Sequence, residues 1–329
     1  MSAPLNYTID AISSLNALRD SASVGPFDRQ GIDFISALLR RAEVFVLPDR
    51  GELLDRSKVR PQVPGAMFHP PFPVVALEYR ASNPPGQESH PFYEATDSSK
   101  RIALAWEWDG KMPFGAGDAA GPSSGEGVCI ASLSYIDKTR TWVPMCGAIM
   151  IPFDCGYYEA APTEHGLAML NSGRISAKQA AAPAIEISGV LPLMPDWMGA
   201  LFRDHGQERA LGLLSADLMD EVNAFIDLCL ALACNNVESV KQAQPPKLNK
   251  ARIRRGKLPL PDFHLLTLGG EAYSLGSVSS SEGTGVRSHL RRGHIRRLSA
   301  DRVTWVNSTI VNGKRQGFVS KAYAPQRVA

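Results

Sequence analysis

A chain of 329 residues that is 44% hydrophobic and 21% charged lies in the globular range and is long enough for one large domain or two modest ones. Its net charge of +2 averages two unlike parts: residues 241–329 carry 17 basic and 4 acidic side chains (17 − 4 = +13), and residues 1–240 carry 18 and 29 (18 − 29 = −11). The five cysteines, Cys129, Cys146, Cys155, Cys229 and Cys234, include no C-x-x-C pair and support neither a zinc site nor a disulfide framework.

Residues 8–20 place Ile9, Ile12, Leu15 and Leu18 at helical spacing behind a Thr8 cap, and a second helix follows Asp28 with Ile32, Ile35, Leu38 and Leu39 as its stripe. Val44–Leu47 reads as a short strand. The proline-rich stretch 48–72 is expected to be a surface connection, with His69 an exposed loop side chain. Strands are predicted at Val74–Arg80, Arg101–Trp108, Val128–Tyr135 and Thr141–Phe153, the last two joined as a hairpin through 136–140. Ile102, Leu104, Trp106 and Trp108 face a core, and Arg101, Ala103, Ala105 and Glu107 a partly wet surface. Glu78, Glu107 and Asp109 could then read as a carboxylate cluster for a metal-dependent nuclease, or as charges on the solvent face.

Further on, Ala160–Leu170 is weakly helical, Ala184–Leu191 a short strand and Pro195–Phe202 a short helix; His165 and His205 have no partner at a recognisable spacing. The strongest helix runs from about Ser215 to Asn235, so apolar that it either centres the core, with Cys229 and Cys234 inside it, or buries a second face in a homo-oligomer. Residues 241–262 hold four prolines and seven basic residues before the first acid, Asp262, and read as a linker or surface arm. Phe263–Leu268 is a strand, 269–285 is Gly/Ser-rich, and Arg302–Val311 returns through Asn312-Gly313 to Gly317–Tyr323. The expected fold is α+β: a mainly antiparallel central sheet with flanking helices in an acidic body, 1–240, and a basic C-terminal β module, 241–329.

The densest chemistry is Arg287–Leu298, with five arginines and two histidines in twelve residues. On a regular strand His289 and His294 face apart, and a bulge at Gly293 unites them. Together with Pro246–Arg252, Arg255-Gly-Lys257, Trp305-Val306 and Gly317…Tyr323, the pattern R-x-H-x-R-R-G-H resembles the C-terminal region of uncharacterised proteins of tailed phages and prophages, over about the last 85 residues. The resemblance implies a phage setting and no established activity.

Three functions follow. The first is binding of RNA or DNA through Arg252, Arg254, Arg255, Lys257, Arg287, Arg291, Arg292, Arg296 and Arg297, with stacking on Trp305 or Tyr323. The second is a metal-independent ribonuclease with His289 and His294 as the acid–base pair and Arg291 or Arg292 stabilising the phosphate. The third is a non-enzymatic phage protein, either a virion part or an inhibitor docking on a host protein. No P-loop, dinucleotide fingerprint, H-E-x-x-H, nucleophile elbow or kinase signature occurs, so no cofactor or metal is implied. The N-terminus lacks the basic start and apolar run of a signal peptide, and no stretch of about 18 apolar residues would span a membrane, which points to the host cytoplasm.

Overall fold

The computed structural model describes residues 5–56, 59–60, 62–81, 98–108, 125–159, 167, 170–171, 176–234 and 237–268, and the backbone alone of strands at 289–291, 294–299, 302–306 and 309–311. Helices α1 (Tyr7–Arg19) and α2 (Pro26–Arg41) lead into strands β1 (Glu43–Val46), β2 (Val74–Arg80), β3 (Ser98–Trp108), β4 (Gly127–Ile136), β5 (Thr141–Pro144) and β6 (Gly147–Pro152). The two-residue strands β7 (Tyr157–Tyr158) and β8 (Ala184–Ile185), with the short helix α3 (Ala177–Ala180) ahead of β8, precede β9 (Gly189–Pro192) and helices α4 (Pro195–His205) and α5 (Gln207–Leu232). Strand β10 (Val237–Gln242), helix α6 (Pro246–Arg254) and strand β11 (Phe263–Leu268) complete the body.

Nine strands form one sheet in the order β10-β11-β1-β2-β3-β4-β6-β9, with β5 hydrogen-bonded to β4. The pairs β1–β2 and β1–β11 are parallel, so the sheet is mixed, and every other pair in it is antiparallel. The expected hairpin at 136–140 is present, and Arg140 takes φ 56° in its turn. The predicted strand Thr141–Phe153 is instead two strands, β5 and β6, interrupted at Met145-Cys146.

Both faces of the sheet are covered. Val74, Ala76, Ile102, Leu104 and Trp106 pack with α1, α2 and α4, and Val75, Leu77, Ala103, Ala105 and Ile130 pack with α5. The face of β3 expected to be partly wet is therefore buried: Ala103 and Ala105 are fully enclosed, and only Glu107 stays exposed. Small alanines there leave room for a helix to approach closely, which period-two patterning cannot distinguish from a solvated face.

A parallel β1–β2 pair needs a crossover, and residues 47–73 supply it. Expected on the surface, this connection instead buries Leu54, Val63 and Phe68 in the core beneath α5. Gly51, at φ +62°, lets the crossover turn where a Cβ would lie 2.8 Å from the Ala224 methyl. His69 is exposed as expected, but its ring stacks on Phe153 at 3.5 Å. Because α5 is enclosed within the chain from Glu221 to Val222 and from Ala224 to Ala231, its apolar character needs no second copy to cover it.

Two carboxylates cap helices from a distance, correcting the expected local caps. Thr8 lies inside α1, and its backbone N–H donates to Glu78 Oε1 at 2.7 Å; Asp28, inside α2, accepts the Asp196 N–H at 2.9 Å at the start of α4. Burial pushes both acids up from their ordinary values, and the backbone donors oppose it.

Polar groups along α5 pair with the sheet and the crossover. Glu221 Oε1 accepts from Tyr79 Oη at 2.9 Å and Arg101 Nη1 at 3.2 Å, and Arg101 also reaches Asp217 at 3.4 Å. Two turns on, the buried Asp227 accepts from Arg60 at 2.7 Å and Arg56 at 3.3 Å, fastening the crossover to the helix. The body's acids are thus partly neutralised by its own arginines.

Candidate nucleic-acid interface

The basic segment after Lys241 begins as structure. Strand β10 runs through the expected 240/241 boundary, and β11 inserts between β10 and β1, so both strands belong to the body's sheet. Between these strands, where a linker or arm was expected, Pro245-Pro246 opens α6 with proline at its first positions, and Gly256 at φ +68° follows its end.

Helix α6 buries no residue, and nine residues would scarcely hold a helix alone. Polar side chains hold it. Asn249 Nδ2 donates to the Leu260 carbonyl at 3.0 Å while its Oδ1 accepts the Leu260 N–H at 2.8 Å, and Arg252 Nε donates to the Leu258 carbonyl at 2.8 Å. Before the helix, Gln244 is fixed by Asp262 Oδ1 at 2.8 Å and the Pro261 carbonyl at 3.1 Å.

This anchoring sets what the helix shows to solvent. At about 100° per residue, Asn249 and Arg252 mark the inner face, and Lys247, Lys250 and Arg254 fall on the opposite one. All three are exposed, as are Arg255 and Lys257 in the turn beyond. None of these five cations has an ion-pair partner among the described residues, whereas Lys241 is paired with Glu43 at 3.0 Å. Exposed Leu248 and Ile253 are five residues apart, on opposite flanks of the anchor, and form no apolar stripe.

Of the residues predicted from sequence, Arg254, Arg255 and Lys257 lie on this surface. Arg252 is half-buried with its Nε engaged. Nothing in the sequence groups Lys247 and Lys250 with Arg254, because without an apolar stripe the segment has no visible helical phase. Arg287 and Arg292 lie outside the described residues, as do Asp109, His165, Gly293, Asn312-Gly313, Tyr323 and most of 160–170.

His289 and Arg291 lie on β12 (His289–Arg291), and His294, Arg296 and Arg297 on β13 (His294–Ser299). Trp305 lies on β14 (Arg302–Val306), and β15 is Thr309–Val311. Strand β12 pairs antiparallel with β15, His289 opposite Val311, and β13 with β14, His294 opposite Val306 and Ile295 opposite Trp305. The described parts of the stretch are thus two strands, and the expected bulge position, Gly293, lies outside the described residues. Its two histidines sit on strands with different partners, and the described register shift falls between Arg297 and Ser299.

Of the expected carboxylates, Glu78 and Glu107 are not brought together. Glu78 pairs with Ile102 on the α1 face, and Glu107 has the parity of Ala103 and Ala105 on the other. Among the described residues no group of three or more His, Cys, Asp or Glu is placed to hold a metal ion. Compared with known proteins, the chain matches no family model, no curated protein and no solved structure.

Proposed function

We propose that the chain binds nucleic acid through the outer face of α6 and the turn after it, by sequence-independent contact with phosphates. The observation that carries this reading is the set of five exposed cations, Lys247, Lys250, Arg254, Arg255 and Lys257, without acidic partners among the described residues, on a helix held from behind by Asn249 and Arg252 and in the turn after it. Arginine forks and lysine ammonium groups fit phosphate oxygens and gain affinity by releasing counterions. The arginines of 287–297 would add phosphate contacts from the same half of the chain. The phage or prophage setting belongs with this proposal.

An anionic membrane is the other polyanion such a helix could meet. Interfacial helices, however, bury an apolar face, and the split placement of Leu248 and Ile253 gives none. Fluorescence anisotropy with labelled single-stranded RNA, single-stranded DNA and duplex DNA at about 50 mM salt tests the reading, beside vesicles of phosphatidylserine. Binding to nucleic acid that is lost in the folded Lys247→Glu/Lys250→Glu/Arg254→Glu variant supports it. No binding, equal binding by the variant, or a preference for the vesicles overturns it.

A further inference from the structure

On the opposite side of β11 from the sheet's centre, β10 brings Ser239 to His264, and β1 brings Glu43 to the same ring. Ser239 Oγ lies 2.9 Å from His264 Nδ1, and His264 Nε2 lies 3.1 Å from Glu43 Oε2. Lys241 Nζ holds both oxygens of Glu43, at 3.2 and 3.0 Å. The three residues are far apart in sequence, and no motif announces them.

The hydrogen bonds determine what the ring can do. A carboxylate only accepts, so Glu43 fixes the His264 proton on Nε2 and leaves the Nδ1 lone pair to accept the Ser239 hydroxyl proton. Burial would raise the Glu43 carboxyl, but the hydrogen bonds from Lys241 and His264 hold it below its ordinary value and keep it in the accepting form. The ring itself is immobilised: His264 is 6% exposed, stacked on Phe45 at 4.8 Å and tilted over Phe72 at 5.2 Å. Ser239, by contrast, is exposed. An oriented, buried base behind an accessible hydroxyl is the arrangement that makes a serine nucleophilic.

We propose that Ser239, His264 and Glu43 form a hydrolytic site for small carboxylic esters, with Ser239 as nucleophile, His264 as base and Glu43 and Lys241 as positioning residues. Ser239 Oγ attacks the ester carbonyl as its proton passes to His264 Nδ1. The tetrahedral adduct collapses, the C–O bond to the alcohol breaks, and Nδ1 returns the proton to the leaving alkoxide. Water, deprotonated by the same nitrogen, then cleaves the acyl-serine to release the acid and restore Oγ–H.

Strand β10 is the last strand of the sheet among the described residues. Successive N–H groups of an antiparallel strand point alternately to the partner and away, so either Ser239 or Val240 directs its N–H outward, where it can meet the oxyanion.

The test uses the intact chain with p-nitrophenyl acetate and with a fluorophosphonate, followed by peptide mass mapping. The expected result is one phosphonate adduct, on Ser239, and ester hydrolysis that falls to the buffer rate in Ser239→Ala. Removing the exposed hydroxyl leaves the core untouched, so this variant reads chemistry and not folding. Glu43→Gln should lower kcat/KM by about 10- to 1000-fold, since the ring loses the acceptor that fixes its tautomer and orientation. Absence of an adduct, an adduct elsewhere, or labelling of Ser239 at an undiminished rate in Glu43→Gln would overturn the proposal.

Discussion

Asn249 and Leu260 exchange two hydrogen bonds, Nδ2 to carbonyl at 3.0 Å and N–H to Oδ1 at 2.8 Å, and so tie α6 to the segment returning toward β11. This amide does for the helix what an apolar stripe does elsewhere. Asn249→Ala is expected to cost about 1–3 kcal/mol, because the Leu260 groups lose their partner. Hydrogen exchange should show faster loss of the amides of 248–254 with the sheet unchanged, and nucleic-acid affinity should fall several-fold. Unchanged protection would mean that the helix is held by something other than this pair.

Glu221 gives the fold a pH dependence of defined sign. Burial pushes its carboxyl up to about 7 against the pull of Arg101, from an ordinary value of 4.5. The folded chain thus keeps a proton that the unfolded chain has released, and this group's contribution is full below 4.5 and is lost as pH rises through about 7. Thermal melts of Glu221→Gln should therefore show the Tm difference from the natural chain shifting in the variant's favour by about 2–4 °C between pH 5 and pH 8. A difference independent of pH contradicts the assignment.

Asp227 is enclosed in α5, and its charge is matched by Arg56 and Arg60 of the crossover. Asp227→Ala leaves two guanidinium groups without their shared acceptor and is expected to cost about 3–5 kcal/mol in urea unfolding. Arg56→Met/Asp227→Leu/Arg60→Met, which removes all three charges, should recover much of that loss. Recovery no better than the single variant would show that the cluster contributes more than charge matching.

All five cysteines are buried. Burial pushes Cys146 and Cys234 up to about 11, and Cys129 and Cys229 far above the ordinary thiol value. Since the thiolate is the reactive form, a disulfide reagent such as DTNB at pH 8 should leave the five thiols unreacted over minutes in native buffer and titrate all five in guanidinium. Rapid native reaction of any one would contradict its enclosure.

Strands Val74–Arg80 and Phe263–Leu268 were legible to the residue, since short apolar runs bounded by proline or glycine have few other readings. The apolar helix was legible in kind, though it begins at Gln207, ahead of its apolar stretch. Alanines 103 and 105 concealed the second buried face of β3. Helix α6 hid behind its prolines, because a helix held by the polar side chains of Asn249 and Arg252 carries no apolar period.

The remaining relationships are tertiary. Glu78 caps α1 from 70 residues away, and His264 meets Glu43 across 221. Of the expected site, Arg254, Arg255 and Lys257 were legible as charge. Their grouping with Lys247 and Lys250 required knowing which side of the helix Asn249 holds.

The salt dependence of duplex-DNA binding tests phosphate contact by this face most directly. Five phosphate contacts give log Kobs against log salt a slope of about −4 to −5 between about 50 and 200 mM, and contacts from 287–297 would steepen it. Lys247→Ala/Lys250→Ala/Arg254→Ala should keep its fold, bind more weakly at low salt and show a slope shallower by about 2–3. The same slope and affinity in the variant and the natural chain would contradict a role for α6.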